Sequence, residues 1–156
     1  MARDLPLGEI TLRRYERPYE STKRETVRKV CLSLGLLQPG DSRDIVVDVL
    51  LALDGARNEK KELTSFDIID RVRELRKQHS LEDKGLAESN VRRQLKRLRD
   101  LMLVDKKNNL YSLSEFEPLS VLFEKKIEAF IIPQMVERVK EYLAHLDKHP
   151  VQSSEE

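Results

Sequence analysis

The sequence predicts a mainly α-helical fold with one small β-hairpin, on the basis of three observations. Apolar residues recur at spacings of three and four along several stretches, which is the period of a helix that buries one face. Two short segments, 103–107 and 110–113, flank the polar pair Asn108-Asn109, as strands flank a tight turn. Hydrophobic residues make up 39% of the 156 residues, which is enough to build a core. We therefore expect one globular unit with helical extensions.

Charge is unevenly distributed along the chain. Lys and Arg total 29 and Asp and Glu total 28, so the net charge of +1 excludes a polycation that coats nucleic acid indiscriminately. Residues 84–107, however, hold eight Lys/Arg against three Asp/Glu, whereas residues 114–156 hold five against nine. Positive charge is therefore concentrated around the predicted hairpin.

Cysteine content and hydropathy bear on the cellular compartment. Cys31 is the only cysteine, which excludes an intrachain disulfide and a cysteine-based zinc ribbon and fits a reducing interior. The chain has no apolar run close to the roughly 18 residues of a membrane span, and the charges of Arg3 and Asp4 are unlike a signal peptide. We expect a cytoplasmic protein that does not contact membranes.

Residues 1–20 predict an N-terminal arm with a short strand or extended segment at 10–15. Arginines there interleave with tyrosines, and a basic, aromatic arm could reach a DNA backbone or minor groove through Arg13, Arg14 and Arg17. The alternative is a strand or tail that packs on a partner subunit.

The first helix is expected within residues 21–35. It begins at Ser21 or Thr22, since Glu25 completes a capping-box pattern with Thr22, and Gly35 is placed to end it. Cys31 lies on its apolar stripe, which indicates a core residue and not a nucleophile.

Two more helices are expected before the basic region. The most hydrophobic stretch of the chain, from about residue 43 to 57, predicts a buried helix that Asp41 or Ser42 could cap. Leu63 is interpreted as a lone strand residue that pairs with the hairpin. The next helix is capped by Thr64 or Ser65. The connection at 80–88 exceeds the three or four residues of a tight helix-turn-helix.

The most informative stretch is a helix over residues 89–102 with Ser89 as its N-cap. Val91, Leu95, Leu98 and Met102 recur at spacings of 4, 3 and 4, so they form one apolar stripe that faces a core. The rest of the surface is basic and rich in hydrogen-bond donors. It carries Ser89, Asn90, Arg92, Arg93, Lys96 and Arg97, and the hairpin adds Lys106 and Lys107.

After the hairpin, residues 114–148 predict a pair of helices broken near Pro133, and residues 149–156 a polar tail. These helices are more apolar than a small helical core could cover, which predicts a dimer interface. The alternative is that they fold back on their own domain. The interface residues we expect are Leu119, Leu122, Phe123, Ile127, Phe130, Val136, Val139, Leu143 and Leu146.

The stretch LAESNVRRQLKRL at 86–98, continued by LMLV at 101–104 and LYSL at 110–113, resembles the recognition helix and wing of prokaryotic winged-helix transcriptional regulators. The resemblance covers about residues 44–113. The order of helices around it is similar to the MarR-type arrangement, and a divergent archaeal or plasmid-borne regulator fits as well. The resemblance implies a winged helix-turn-helix core over residues 43–113, with dimerisation helices at 21–35 and 114–148.

Such a protein would bind duplex DNA as a homodimer, with the helix at 89–102 in the major groove and the hairpin on the backbone or minor groove. Arg93 or Arg97 could bridge guanine O6 and N7, and Asn90 could pair with adenine. Lysines and arginines would also meet phosphates, and Ser89 would leave helix N–H groups directed at a phosphate.

Two alternatives remain open at the level of sequence. The winged scaffold could instead dock an acidic protein partner within a transcription or replication complex. A small-molecule effector could also bind between the core and the dimerisation helices. The sequence lacks a glycine-rich phosphate loop, a His-Glu-x-x-His motif and a cysteine pair, so we expect no enzyme, no cofactor and no metal site.

Overall fold

The computed structural model describes residues 2–151 and shows a mainly helical protein with one two-stranded antiparallel hairpin. The last five residues of the predicted tail lie outside the described residues. The elements before the hairpin are α1 (Lys23–Ser33), α2 (Ile45–Asn58), α3 (Ser65–Gln78) and α4 (Glu88–Asp100). They are followed by β1 (Val104–Lys107), β2 (Leu110–Leu113), α5 (Leu119–Leu122), a π-helical segment (Phe123–Ile131) and α6 (Ile132–Asp147).

The starts of α1 and α3 are set by threonine caps. The side chain of Thr22 accepts a hydrogen bond from the N–H of Glu25, at 3.1 Å. At α3, Thr64 and Asp67 cap each other's backbone N–H groups, both at 3.0 Å. Gly35 follows α1 with φ of +72°, the left-handed conformation that commonly ends a helix. This agrees with the prediction that Gly35 ends α1. The predicted cap of α2 was wrong, because α2 begins after Asp44.

The second helix, α2, is the centre of the core. It packs against α1, α3, α4 and β2, and nine of its fourteen residues are buried. Its neighbours contribute further apolar side chains, among them Cys31, Ile68 and Val72. Burial of a large aliphatic side chain contributes about 1.5–3 kcal/mol, so this shared core is what fixes the helices to one another.

The hairpin pairs Val104 with Leu113 and Lys107 with Leu110, which leaves a two-residue turn. Both turn residues, Asn108 and Asn109, have positive φ (53° and 62°), as a type I′ turn requires. Leu63 forms an isolated bridge to Tyr111 through two backbone hydrogen bonds of 2.9 and 2.7 Å. The prediction that Leu63 pairs with the hairpin is confirmed.

The prediction of two helices broken near Pro133 was wrong. After a short 3₁₀ turn at 114–116, α5, the π-helical segment and α6 form one continuous helix. The N–H of Ile132 bonds to the carbonyl of Ile127, five residues earlier, so the chain is already in the wider π spacing when it reaches Pro133. Pro133 then stands in the first turn of α6, where a missing N–H is tolerated.

The two halves of this continuous helix differ in burial. Leu122 and Ile127 are buried in the protein's own core, and Leu119 and Phe123 are half-buried against it. This corrects the expectation that Leu122 and Ile127 face a partner. Beyond Ile132, α6 has no buried residue, and its apolar row is exposed along its length: Val136, Val139, Leu143 and Leu146. No helix within residues 2–151 is both long and apolar enough to cross a bilayer.

Candidate nucleic-acid interface

The apolar stripe of α4 is fully buried, which fixes the side that the helix presents outward. Val91, Leu95 and Leu98 each have no exposed surface. Met102 is not in the helix, which was an error of prediction. It lies after the helix end with φ of +63° and turns the chain into β1.

The N-terminus of α4 also differs from the prediction. The helix begins at Glu88 with Ala87 as its N-cap, so Ser89 is an exposed residue of the first turn and not the cap. Glu88 suits this position because its carboxylate faces the positive end of the helix dipole. The hydroxyl of Ser65 on α3 donates a hydrogen bond of 3.3 Å to it.

The outward face of α4 carries exposed Ser89, Arg92, Arg93 and Lys96. Arg92 lies 3.5 Å from Glu88 and Lys96 lies 3.1 Å from Asp100, both within the helix. Exposed pairs of this kind contribute about 0–1 kcal/mol, so a phosphate can replace the carboxylate partner. Among the described residues Arg93 has no ion-pair partner within 4 Å.

Asn90 and Arg97, in contrast, are engaged within the protein. The side chain of Asn90 donates to the carbonyl of Gly85 at 2.8 Å and accepts from Gln94 at 3.2 Å. Arg97 donates to the side chain of Gln94 at 2.8 Å and to the carbonyl of Gly35 at 3.1 Å. Base contacts by Asn90 or Arg97 would therefore require these bonds to break.

The N-terminal arm is an extended segment without a strand at 10–15. Arg13 is half-buried and its guanidinium donates to the carbonyls of Leu32 and Leu37, at 2.7 and 3.1 Å, and to the side chain of Gln38. Leu32 lies in the last turn of α1, where carbonyls lack the usual helical partner, and Leu37 lies in the turn that follows. A contact of Arg13 with DNA would require these bonds to break, whereas Arg14 and Arg17 are exposed.

The hairpin presents Lys106 and Lys107 to solvent beside its turn. The ammonium of Lys106 lies 5.8 Å from the centre of the Tyr111 ring on the opposite strand, a cation–π distance. Both lysines therefore lie on the hairpin strand that comes next after α4 in the chain.

A buried ionic cluster joins α1, α2 and α3, and sequence analysis missed it. Arg24 binds both carboxylate oxygens of Asp48 at 2.9 Å, and Arg76 binds Asp48 at 2.7 Å and Asp44 at 3.1 Å. Arg28 adds a bond of 3.2 Å to Asp44. Removal of one member of such a buried pair costs about 3–5 kcal/mol, because the other charge is left without a partner.

The pKa shifts in this cluster indicate that its charged groups stabilise one another. Burial alone raises the pKa of Asp44, but hydrogen bonds and attraction from Arg24 and Arg76 outweigh it and hold the pKa below its usual value. The pKa of Arg24 is raised, because its bonds to Asp48 and Asp44 outweigh its own burial. The signal in the sequence was a pair of aspartates four residues apart at the start of the most apolar helix, together with two arginines four residues apart in α1.

A cleft of about 540 Å³ separates the arm, α1 and the start of the C-terminal helix. Its walls are mostly apolar and aromatic, with Tyr15, Tyr19, Leu119 and Phe123 among them. Lys29 and Glu16 form an ion pair of 2.6 Å at the same cleft. The predicted effector site lay between the core and the dimerisation helices, whereas this cleft is lined by the arm, α1 and the start of the C-terminal helix, with no residue from 43–113. Effector binding stays a prediction.

No protein-family model matches the chain, and comparisons with curated proteins and with solved structures found no match.

Proposed function

We propose that this chain is a winged helix-turn-helix transcriptional regulator that binds duplex DNA as a dimer. The observation that carries the proposal is the outward face of α4, which is basic, exposed and directly followed by a lysine-bearing hairpin. The order α2, Leu63, α3, α4, β1, β2 is the order of elements in a winged helix. In this proposal the apolar face of α4 packs in the core, and its basic face remains accessible to DNA.

In this mechanism α4 enters the major groove. Arg93 is free to meet guanine O6 and N7 or a phosphate, while Arg92 and Lys96 exchange weak intrahelical pairs for phosphates. Lys107 and Lys106 on the hairpin contact the adjacent backbone. Each neutralised phosphate releases counterions, so affinity falls as salt rises.

The dimer in this proposal forms through α6. Its exposed row of Val136, Val139, Leu143 and Leu146 repeats at spacings of 3, 4 and 3, as in a two-stranded coiled coil. A Cβ added to Gly8 of the arm would lie 3.9 Å from the methyl group of Met135, so the arm passes close to the start of α6. A two-fold dimer would present two α4 helices about 34 Å apart, one turn of DNA.

Fluorescence anisotropy with a labelled mixed-sequence duplex tests DNA binding. We expect a steep loss of affinity between about 50 and 200 mM salt, since several phosphates are neutralised. Arg93→Ala should weaken binding at least fivefold, whereas Arg138→Ala on α6, which also removes one positive charge, should not. An absence of binding at low salt, or equal effects of the two variants, would reject the proposal.

One observation favours protein docking as a second candidate. Phe66 on α3 is 64% exposed, which is unusual for a phenylalanine side chain. A partner with an apolar surface could cover it. Failure of the DNA test together with a stable complex with such a partner would favour this candidate.

A further inference from the structure

An open groove lies between the C-terminal end of α4, the hairpin and the π-helical segment. We call it the basic groove. Its walls contain five cationic and two acidic side chains, and the cationic ones come from three separate elements. The charged residues are Lys96, Arg99, Asp100, Asp105, Lys106, Lys107 and Lys126.

Most of the cations in this groove lack a carboxylate partner. Lys96 is paired with Asp100 at 3.1 Å. Within residues 2–151, Arg99, Lys106, Lys107 and Lys126 form no ion pair within 4 Å. On the open face of α4, by comparison, Arg92 and Lys96 are both paired, and Arg93 alone has no partner among the described residues.

This arrangement has a simple electrostatic consequence. Like charges around one groove repel each other, and the repulsion is relieved when an anion binds between them. Unpaired cations also have no intramolecular bond to lose when they bind a phosphate. The basic groove therefore carries a surplus of three positive charges, five cations against two carboxylates, beside α4.

Lys126 is the unexpected member of this set. It lies on the π-helical segment immediately before Ile127, which is completely buried, and Lys126 itself is half-buried. Packing of Ile127 in the core therefore fixes the position of the Lys126 backbone. Through Lys126, the C-terminal helix forms one wall of a groove whose other walls belong to α4 and the hairpin.

We propose that the basic groove binds the phosphate backbone of duplex DNA, and that Lys126 and Arg99 are the contacts that extend the interface beyond α4 and the hairpin. The inference rests on the proposed function, because it assigns a further part of the same interface. The strand that passes the hairpin is held between Lys126 on one side and Lys106 and Lys107 on the other.

Lys125 provides a matched control for Lys126. It is the preceding residue on the same helix and carries the same charge, but it lies outside the groove and 3.5 Å from Glu117. Replacement by glutamine removes the charge and keeps most of the aliphatic stem. Duplex affinity and its salt dependence would be measured for Lys126→Gln and Lys125→Gln by fluorescence anisotropy, with thermal unfolding as a check of folding.

A substitution that removes one phosphate contact per protomer removes two from the dimer. It should reduce the magnitude of the slope of log K against log salt by about 1.8, which corresponds to roughly 30-fold to 100-fold weaker binding near 0.1 M salt. We expect this change for Lys126→Gln and a change below twofold for Lys125→Gln. Arg99→Gln, an exposed substitution, should give a similar loss and serves if Lys126→Gln unfolds.

The outcomes separate the two proposals. If Arg93→Ala weakens DNA binding but neither Lys126→Gln nor Arg99→Gln differs from Lys125→Gln, the basic groove is not a phosphate site and the proposed function stands. If the unmodified protein fails to bind duplex DNA at low salt, both are overturned.

Discussion

At the residue scale, two glycines with the same backbone conformation differ in their surroundings. Gly35 and Gly40 have φ of +72° and +79°. A Cβ on Gly35 would lie 2.5 Å from Cβ of Thr11 in the arm, whereas one on Gly40 would meet nothing within 4 Å. Alanine at Gly40 would therefore introduce backbone strain alone, whereas alanine at Gly35 would also clash with the arm.

Gly40→Ala is expected to lower the free energy of unfolding by about 1–2 kcal/mol through left-handed strain alone. Gly35→Ala should lower it further and should also release the arm, which limited proteolysis within residues 5–20 would detect. Urea unfolding of both variants measures the difference. Equal losses and an unchanged proteolysis rate would show that the arm does not rest on Gly35.

Asp44 makes stability depend on pH in the acid range. Its pKa is lowered from 3.8 in the folded protein, chiefly because Arg24 and Arg76 outweigh burial. A lowered pKa means that the stabilisation is fully present above the unfolded-state value and is lost as pH falls through the folded-state value. We therefore expect the free energy of unfolding to fall below about pH 4.

Urea unfolding at a series of pH values from 7 to 2.5 checks this expectation. The variant Asp44→Asn should be less stable at pH 7 and should lose less stability on acidification. Asp54 and Asp67, whose pKa values are also lowered, retain their share of the acid dependence. An unchanged acid dependence in Asp44→Asn would contradict the account.

The sequence predicted buried residues better than hydrogen-bonding partners. Helical periodicity identified Val91, Leu95 and Leu98 correctly, because the period of apolar residues depends only on local geometry. It could not show that Asn90 and Arg97 are bonded to Gly85 and Gly35, since those partners come from other parts of the chain.

At the element scale, α6 has no buried residue, and its apolar row is exposed. Leu143 is 53% exposed although it lies in the middle of the apolar row. A second copy of the chain that covers this row would explain why its residues are apolar. The same row carries the predicted dimer, and the structure described contains one chain.

Leu143→Gln should therefore convert a dimer to a monomer at micromolar concentration without unfolding the core. Sedimentation equilibrium measures the mass, and circular dichroism checks that the helices remain. Ala144→Gln, one residue further on and outside the row, is the control and should remain dimeric. A monomeric unmodified protein would remove the basis of this interface.

Element boundaries show where sequence reasoning is limited. The hairpin was predicted correctly because strand, turn and strand are adjacent in the sequence, and Asn108-Asn109 supplies residues that tolerate positive φ. The break at Pro133 was predicted wrongly because the chain reaches Pro133 in π spacing and continues into α6, with Pro133 in its first turn. The wider spacing before Pro133 has no simple sequence signature.

At the scale of the whole molecule, the charges divide into two classes. The carboxylates and guanidinium groups between α1, α2 and α3 neutralise each other inside the protein. The cations of α4, the hairpin and the basic groove remain near solvent. The net charge of +1 conceals this basic surface because acidic residues elsewhere offset it, with nine Asp/Glu against five Lys/Arg in residues 114–156. The proposed interface depends on this uneven distribution of charge.

The π-helical segment has one more consequence. A π turn holds more residues than an α turn, so every side chain beyond it is rotated about the axis relative to an unbroken α-helix. The direction in which the apolar row of α6 points is therefore not fixed by the α-helical period that would otherwise relate it to the buried face around Ile127. Removal of one of the exposed residues 128–130, which follow Ile127, would rotate that row by roughly 100° relative to the core and would change the orientation of a neighbouring subunit.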